Sequence, residues 1–336
     1  MSHLRKDPIT NRWVIVAANR ARRPGAFLRQ SRREQPQPCP FCEGQESQTP
    51  AEVFAYRQAG TGPNRPGWRV RVVPNKFPAL QLTENQPGTE SPGAAAGELF
   101  RSMPGIGVHE VIIESPRHVA STSDLSVEEV AEVCAAYRQR LLDLRRDRRL
   151  AQPFIFKNAG EAAGASIEHT HSQLIVTSVV PVTVQEELSG ALEFHRSHGR
   201  CVFCEVVRQE LAAGNRVVLE SPHFVAVCPF ASRFAFETWL LPKAHASHYE
   251  DTDESVLDEL AGVVKSVVTK IELVLDRPAY NYLIHTVPFG SSADGYYHWH
   301  WEFVPVLART AGFELGSGYY INPVPPEDAA ARLRKV

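Results

Sequence analysis

The chain has 336 residues, 43% of them hydrophobic and 22% charged, with a formal net charge of −2. That balance fits a globular protein of one large or two ordinary domains, and it makes no global electrostatic case for nucleic acid. No apolar run approaches the roughly 18 residues of a membrane span, and the opening MSHLRKDPIT lacks an apolar signal core, so the cytoplasm is the expected compartment.

The first expected strands are RWVIVAA (12–18) and WRVRVV (68–73). Between them lie a short basic run, Arg20 to Arg33, and a C-x-x-C pair, Cys39 and Cys42. A Pro/Gly/Ala-rich loop, ENQPGTESPGAAAG (84–97), precedes HEVIIESPRH (109–118). SDLSVEEVAEVCAAYRQRLLDLRRD (123–147) opens on a Ser/Asp cap and carries apolar residues at helical spacing, so it is read as a helix. FIFKNAG (154–160) and EHTHSQLIV (168–176) follow as strands. Residues two apart share a strand face but point roughly 200° apart on a helix. His169, His171 and Gln173 are therefore expected on one face, and Thr170, Ser172, Leu174 and Val176 on the other. The unremarkable alternative for that row is a half-exposed polar face without chemistry.

The second half repeats the first in the same order. CPFCEG (39–44) is echoed by CVFCEV (201–206), HEVIIESPRH by FETWLLPKAH (236–245), and EHTHSQL by YHWHWEF (297–303). His118 and His245 are 127 residues apart and His169 and His298 are 129 apart, a near-constant offset that indicates duplication of one unit. DESVLDELAGVVKSVVTKIELVL (253–275) takes the place of the first helix. The expected class is α+β with a mainly antiparallel sheet, divided into repeats at 1–189 and 190–336.

Of six cysteines, Cys134 and Cys228 are lone and read as packing residues, while four form the two C-x-x-C pairs. Cys39, Cys42, His118 and His169 can make a closed tetrahedral Cys2His2 site, and Cys201, Cys204, His245 and His298 a second. Redox or merely buried cysteines are the alternative. With His169 as a ligand, His171 on the same face is free to act as a nucleophile, since neutral imidazole is available near pH 7. Gln173 can donate to a phosphate oxygen but cannot act as a general acid. That combination suits a leaving group needing no proton, as in nucleotidyl transfer between phosphates.

GASIEHTHSQ resembles the active-site strand of the histidine-triad superfamily in its transferase branch. With DPITNRWVIVAANRARRPG, CPFC, VVPNKFPAL, FETWLLPKAH and HWHWEF, the whole chain is similar to the galactose-1-phosphate uridylyltransferase family. The resemblance implies two tandem histidine-triad-like repeats in one subunit, and a homodimer. It implies His171 as the nucleotidylated residue, Gln173 holding the transferred phosphoryl group, and Ser166 touching phosphate. Arg20, Arg23 and Asn158 would line the nucleotide and phosphate pocket, Asn75 the nucleoside site, and small residues from Gly164 to Ser166 would let backbone approach phosphate. Both metal sites would hold structural Zn2+. An alternative second set, Glu187, His285, His298 and His300, occurs in some members, so iron is a further option there; thiolates favour zinc on Cys201, Cys204, His245 and His298.

Three departures bear on function. Thr170 replaces the usual proline between the histidines, with its side chain expected to point away from the chemistry. AGFELGSGYYINP (311–323) lacks the lysine and glutamine that grip hexose phosphate, and Lys76 stands where uridylyl enzymes often carry aspartate. Both resemble the branch that includes ADP-glucose phosphorylase. The leading expectation is ping-pong transfer from UDP-glucose to galactose 1-phosphate; the alternatives are adenylyl transfer from ADP-glucose to phosphate, and a non-catalytic zinc-stabilised nucleotide-binding protein. Trp301 and Glu302 replace Ser172 and Gln173 in the second copy, so His300 is not expected to be a nucleophile. His109, His195, His198, His223 and His248 carry no assigned role.

Overall fold

Near-continuous apolar runs such as FVAV (224–227) and WLL (239–241) build a sheet buried on both faces along those strands. The computed structural model describes residues 3–16, 38–82 and 103–336. Its strands are β1 (His3–Lys6), β2 (Trp13–Val16), β3 (Phe54–Arg57), β4 (Trp68–Pro74), β5 (Gly107–Ile113), β6 (Gln152–Ala159), β7 (His171–Thr177), β8 (Val217–Glu220), β9 (Phe224–Val227), β10 (Thr238–Pro242), β11 (Tyr280–His285), β12 (His300–Pro305) and β13 (Tyr320–Asn322). The helices are α1 (Val127–Leu144), α2 (Val182–His198), α3 (Val202–Ala213), α4 (Leu257–Leu275), α5 (Gly312–Ser317) and α6 (Pro326–Leu333).

Ten strands form one sheet in the order β3-β4-β5-β7-β6-β11-β12-β10-β9-β8. Each half contributes five: three strands, a long helix, then two strands, the last bearing or directly following H-x-H. The halves join edge to edge through antiparallel β6 and β11, where Asn158 lies opposite Asn281. The sheet therefore shows the duplication directly, as an α+β fold of two tandem repeats. The expected division at 189/190 falls inside α2.

Register decides which side chains share a face. On β5, β9 and β10, Ile112, Phe224, Ala226 and Leu240 turn toward the main core, where α1 and α4 pack against one another. Val111 and Ile113 turn the other way, into a small cluster with Cys39 and Phe41. Val225, Val227, Trp239 and Leu241 likewise meet Cys201 and Phe203. Each Cys pair is thus carried on the sheet face opposite the long helices. Helix α1 starts at Ser126, whose hydroxyl accepts from Glu129 N–H at 3.2 Å while Ser126 N–H donates back to Glu129 at 2.7 Å, a reciprocal cap.

Two features go beyond the repeat pattern. RWVIVAA supplies β2, which joins no part of the large sheet; it pairs with β1 and, in parallel, with the tail strand β13. Ile15 lies opposite Ile321, so the start of the chain is clasped to its end. The second Cys pair opens a helix, α3, whereas Cys39 and Cys42 lie in a turn, with Cys42 N–H donating to Cys39 O at 3.2 Å.

Candidate active site and metal centres

Strand β7 begins at His171, so His169 and Thr170 stand just ahead of it. The expected alternation holds. His169 and His171 both meet the ring of Phe41, at 6.2 and 5.1 Å between centroids. Thr170 and Ser172 turn toward the helix face. His171 is 7% exposed, and its Nδ1–H donates to the His169 carbonyl at 2.7 Å. That bond fixes the tautomer and leaves the Nε2 lone pair available. Burial pushes the imidazole below its usual range, as does Lys157, so the ring is neutral at pH 7.

Gln173 lies on the same face two residues along. Its Oε1 is 2.8 Å from His109 Nε2 and 3.4 Å from Asn75 Nδ2. Asn75 and Gln173 are thus brought together, and His109 is a partner the sequence did not assign. The missed signal was the alternation in H-E-V-I-I, which puts His109 on the face of Val111 and Ile113; nothing local says which strand lies beside it. Gly164, Ala165 and Ser166 form a turn between β6 and β7, with Gly164 and Ser166 exposed. Gly164 has φ +95°, a conformation that favours glycine at this turn. Asn158 Oδ1 accepts from Asn281 Nδ2 at 2.8 Å, and Asn281 also donates to Ala163 O at 2.9 Å, tying this turn to the second half. Arg20 and Arg23 lie outside the described residues.

Behind the histidines, the helix side of the sheet holds a fully buried polar cluster. Lys157 pairs with Glu114. Thr170 Oγ1 donates to Glu114 at 2.6 Å and accepts from Lys157 at 2.6 Å. The Tyr137 and Tyr282 hydroxyls lie 3.1 and 3.2 Å from Glu114 Oε1, and Tyr137 donates to Ser172 at 2.6 Å. Burial alone would raise Glu114, but the Lys157 ammonium outweighs it and holds the carboxylate below its usual range. This explains Thr170. Its hydroxyl completes the cluster and its N–H donates to Val119 O at 2.7 Å, neither of which proline could do.

The ligand atoms of Cys39, Cys42, His118 and His169 lie within 4.8 Å of one another, as do those of Cys201, Cys204, His245 and His298. Cys42 Sγ is 3.4 Å from His118 Nδ1 and 3.6 Å from His169 Nδ1; Cys204 Sγ is 3.3 Å from His245 Nδ1 and 3.6 Å from His298 Nδ1. Ligand bonds of about 2.0–2.3 Å around a tetrahedral ion imply edges of roughly 3.5 Å, which these spacings match. The first histidine of each H-x-H donates its Nε2–H to a carbonyl, His169 to Ser115 at 2.7 Å and His298 to Pro242 at 2.9 Å. His245 does the same to Asp294 at 2.6 Å. Such bonds leave Nδ1 as the ligand atom. The residues fit a metal ion at both places.

His298 therefore stands with the thiols rather than with Glu187, His285 and His300. Those three gather instead around Glu302, all buried and also within 4.8 Å. Glu187 Oε2 lies 3.1 Å from His285 Nδ1 and accepts from Tyr297 OH at 2.8 Å, while Arg233 pairs with Glu302. Burial opposes the charge on His285, but Glu187 and Glu302 outweigh it and hold the ring up to about 9.

Both halves of the chain match family models, residues 1–181 the N-terminal domain and 187–335 the C-terminal domain of galactose-1-phosphate uridyl transferase. A paired match over a duplicated sheet defines the chain as a nucleotidyltransferase. It belongs to the galactose-1-phosphate uridyl transferase family. An ADP-glucose phosphorylase of Arabidopsis thaliana is 38% identical over 344 residues, covering 99% of this chain and 92% of that relative. A galactose-1-phosphate uridylyltransferase of Thermotoga maritima is 28% identical, covering 100% and 98%. Among solved structures, the Arabidopsis thaliana ADP-glucose phosphorylase with bound ADP-glucose has a TM-score of 0.83 at 37% identity, covering 100% and 99%. A uridylyltransferase structure has a TM-score of 0.76 at 28% identity, covering 100% and 98%.

Proposed function

We propose that the protein transfers an adenylyl group from ADP-glucose to inorganic phosphate through a covalent intermediate on His171. One observation carries this: the Nδ1–H of His171 is spent on the His169 carbonyl, so Nε2 offers its lone pair beside the neutral amide of Gln173. Nε2 attacks the α phosphorus, the bond from that phosphorus to the bridging oxygen breaks, and glucose 1-phosphate leaves with the electron pair. A phosphate oxygen then attacks the same phosphorus, releasing ADP and restoring the imidazole. Splitting one displacement into two is the gain of covalent catalysis. Gln173 donates to the transferred phosphoryl group, Ser166 and the backbone at Gly164 contact phosphate, and Asn158, Asn75, Arg20 and Arg23 line the nucleotide pocket.

The donor base follows from similarity. The adenylyl relative is 38% identical over nearly the whole chain, against 28% and 29% for two bacterial uridylyl relatives. Lys76 and the tail residues 311–323 favour the same branch. The uridylyl reading, UDP-glucose with galactose 1-phosphate, is supported by the two family models. It ranks second, a change from the order the motifs alone suggest. The metal sites are read as structural zinc on the four-residue sets Cys39, Cys42, His118, His169 and Cys201, Cys204, His245, His298; bound there, the ion stabilises the fold and takes no part in the reaction. No described helix is long and apolar enough to cross a membrane. A cytoplasmic homodimer and a division of the repeats at 1–189 and 190–336 complete the reading.

The test is a donor and acceptor comparison. Phosphorolysis of ADP-glucose should exceed uridylyl transfer to galactose 1-phosphate by at least tenfold in kcat/KM. The reverse ratio would install the uridylyl reading.

A further inference from the structure

The reaction scheme above gives His109 no role, yet it sits against Gln173 together with Asn75. An amide side chain can present either end to a substrate, and only its N–H end helps a phosphoryl oxygen. Something must therefore set the polarity of Gln173. Two backbone groups in the turn after β4 do so. Ala79 N–H donates to His109 Nδ1 at 3.1 Å. A neutral imidazole that accepts at Nδ1 must carry its proton at Nε2. That Nε2–H lies 2.8 Å from Gln173 Oε1. Phe77 N–H donates to Asn75 Oδ1 at 2.8 Å, which fixes the Asn75 amide in turn and places its Nδ2 3.1 Å from His109 Nε2 and 3.4 Å from Gln173 Oε1. Asn75 N–H donates to the His109 carbonyl at 2.8 Å, so the turn and β5 are locked together.

Two donors thus converge on Gln173 Oε1, and the origin of each is a backbone N–H that cannot turn round. Gln173 is left with both Nε2 hydrogens facing away from them. Strand register makes the arrangement possible: Val111 lies directly opposite Gln173 and His109 opposite Ile175, so His109 is the diagonal neighbour within side-chain reach.

We infer that His109 is a positioning residue, which, relayed from Ala79 N–H, orients the Gln173 amide so that its N–H groups meet the transferred phosphoryl group. This rests on the proposed role of Gln173 in nucleotidyl transfer. Asn75 reinforces the same orientation. His109 touches no reacting atom; it acts through Gln173.

The experiment has two arms. First, the rate of nucleotidyl-enzyme formation from ADP-glucose is measured for the native protein, His109→Leu, Gln173→Ala and the double variant, with metal content and Tm as controls. His109→Leu should lower the rate constant for adduct formation by roughly tenfold to a hundredfold, with half-saturation changing less. It should cost nothing further in the Gln173→Ala background, and His109→Gln, which keeps a terminal N–H, should recover part of the rate. An equal loss in both backgrounds would overturn the inference, as would a loss that follows Tm or metal content. Second, nitrogen NMR of the His109 ring in the native protein should show the Nε2–H tautomer; the Nδ1–H tautomer would refute the relay. If no donor yields an adduct with the native protein, the functional reading fails and the tautomer alone decides the geometry.

Discussion

The two halves of the molecule start from one plan and differ where chemistry would occur. In the first, His171 and Gln173 face the Cys-pair side, while Thr170 and Ser172 rest on the Glu114–Lys157 pair. In the second, Trp299 and Trp301 take the places of Thr170 and Ser172 and are buried in the apolar core. Glu302 takes the place of Gln173, and its carboxylate is held by Arg233. Pairing register puts Trp239 opposite Glu302 as Val111 is opposite Gln173, so Glu237 stands where the first half has His109, one residue from the sequence echo. Glu237 binds the same Arg233 at 3.1 Å. The first half holds a neutral amide at this position; the second closes its equivalent position with an internal ion network. The metal-ligand geometry, by contrast, is nearly the same in both. Duplication has kept the Cys-and-His cluster of each half and changed the residues along the strand beside it.

The largest break in this comparison should come from the two second histidines. His171→Gln should lower nucleotidyl transfer at least ~10³-fold, with metal content and Tm nearly unchanged. His300→Gln should leave the transfer rate within about threefold, measured in the same assay. The shared element predicts the opposite pattern. His169→Ala and His298→Ala should each release about one metal ion per chain and lower Tm, since metal binding is coupled to folding. Elemental analysis beside thermal melts checks this; full metal retention in either variant would remove that ligand assignment.

Smaller effects sharpen the contrast between the polar and aromatic backings. Lys157→Met leaves Glu114 buried without its partner and should cost about 3–5 kcal/mol in denaturant unfolding. A loss below 1 kcal/mol would show that the pair contributes little. The smallest effect concerns the segment before each long helix. In the first half Ser121 and Ser123 donate to Glu272, the latter at 2.5 Å. In the second, Glu250 is buried with Arg145 Nη1 no closer than 3.9 Å. Burial pushes its carboxyl up to about 7. Between the unfolded value near 4.5 and 7, the unfolded chain releases this proton while the folded one keeps it, so stability falls as pH rises and levels off above 7. Glu250→Gln should remove this slope and gain roughly 3 kcal/mol at pH 8 relative to the native chain. An unchanged slope would assign the pH dependence to other groups.

Much of this was legible in the sequence because it rests on local periods and on repetition. Period-two alternation placed His171 and Gln173 on one face, and matched echoes paired each C-x-x-C with its two histidines. What escaped depends on strand neighbours that no local pattern states. The relay from Ala79 through His109 needs the register of β5 on β7. The role of Thr170 needs Glu114, just past the end of β5, and Lys157 on β6. RWVIVAA reads as a strand, but besides β1 it pairs with β13 from the far end of the chain, so its sheet could not be inferred from propensity.

The measurement that tests the central claim most directly is intact-protein mass spectrometry after incubation with ADP-glucose and, separately, UDP-glucose, with His171→Gln as control. The account predicts an adenylyl adduct on the native chain, mapped to His171 and absent from the variant. An adduct that persists in His171→Gln, or that maps to His300, would contradict it.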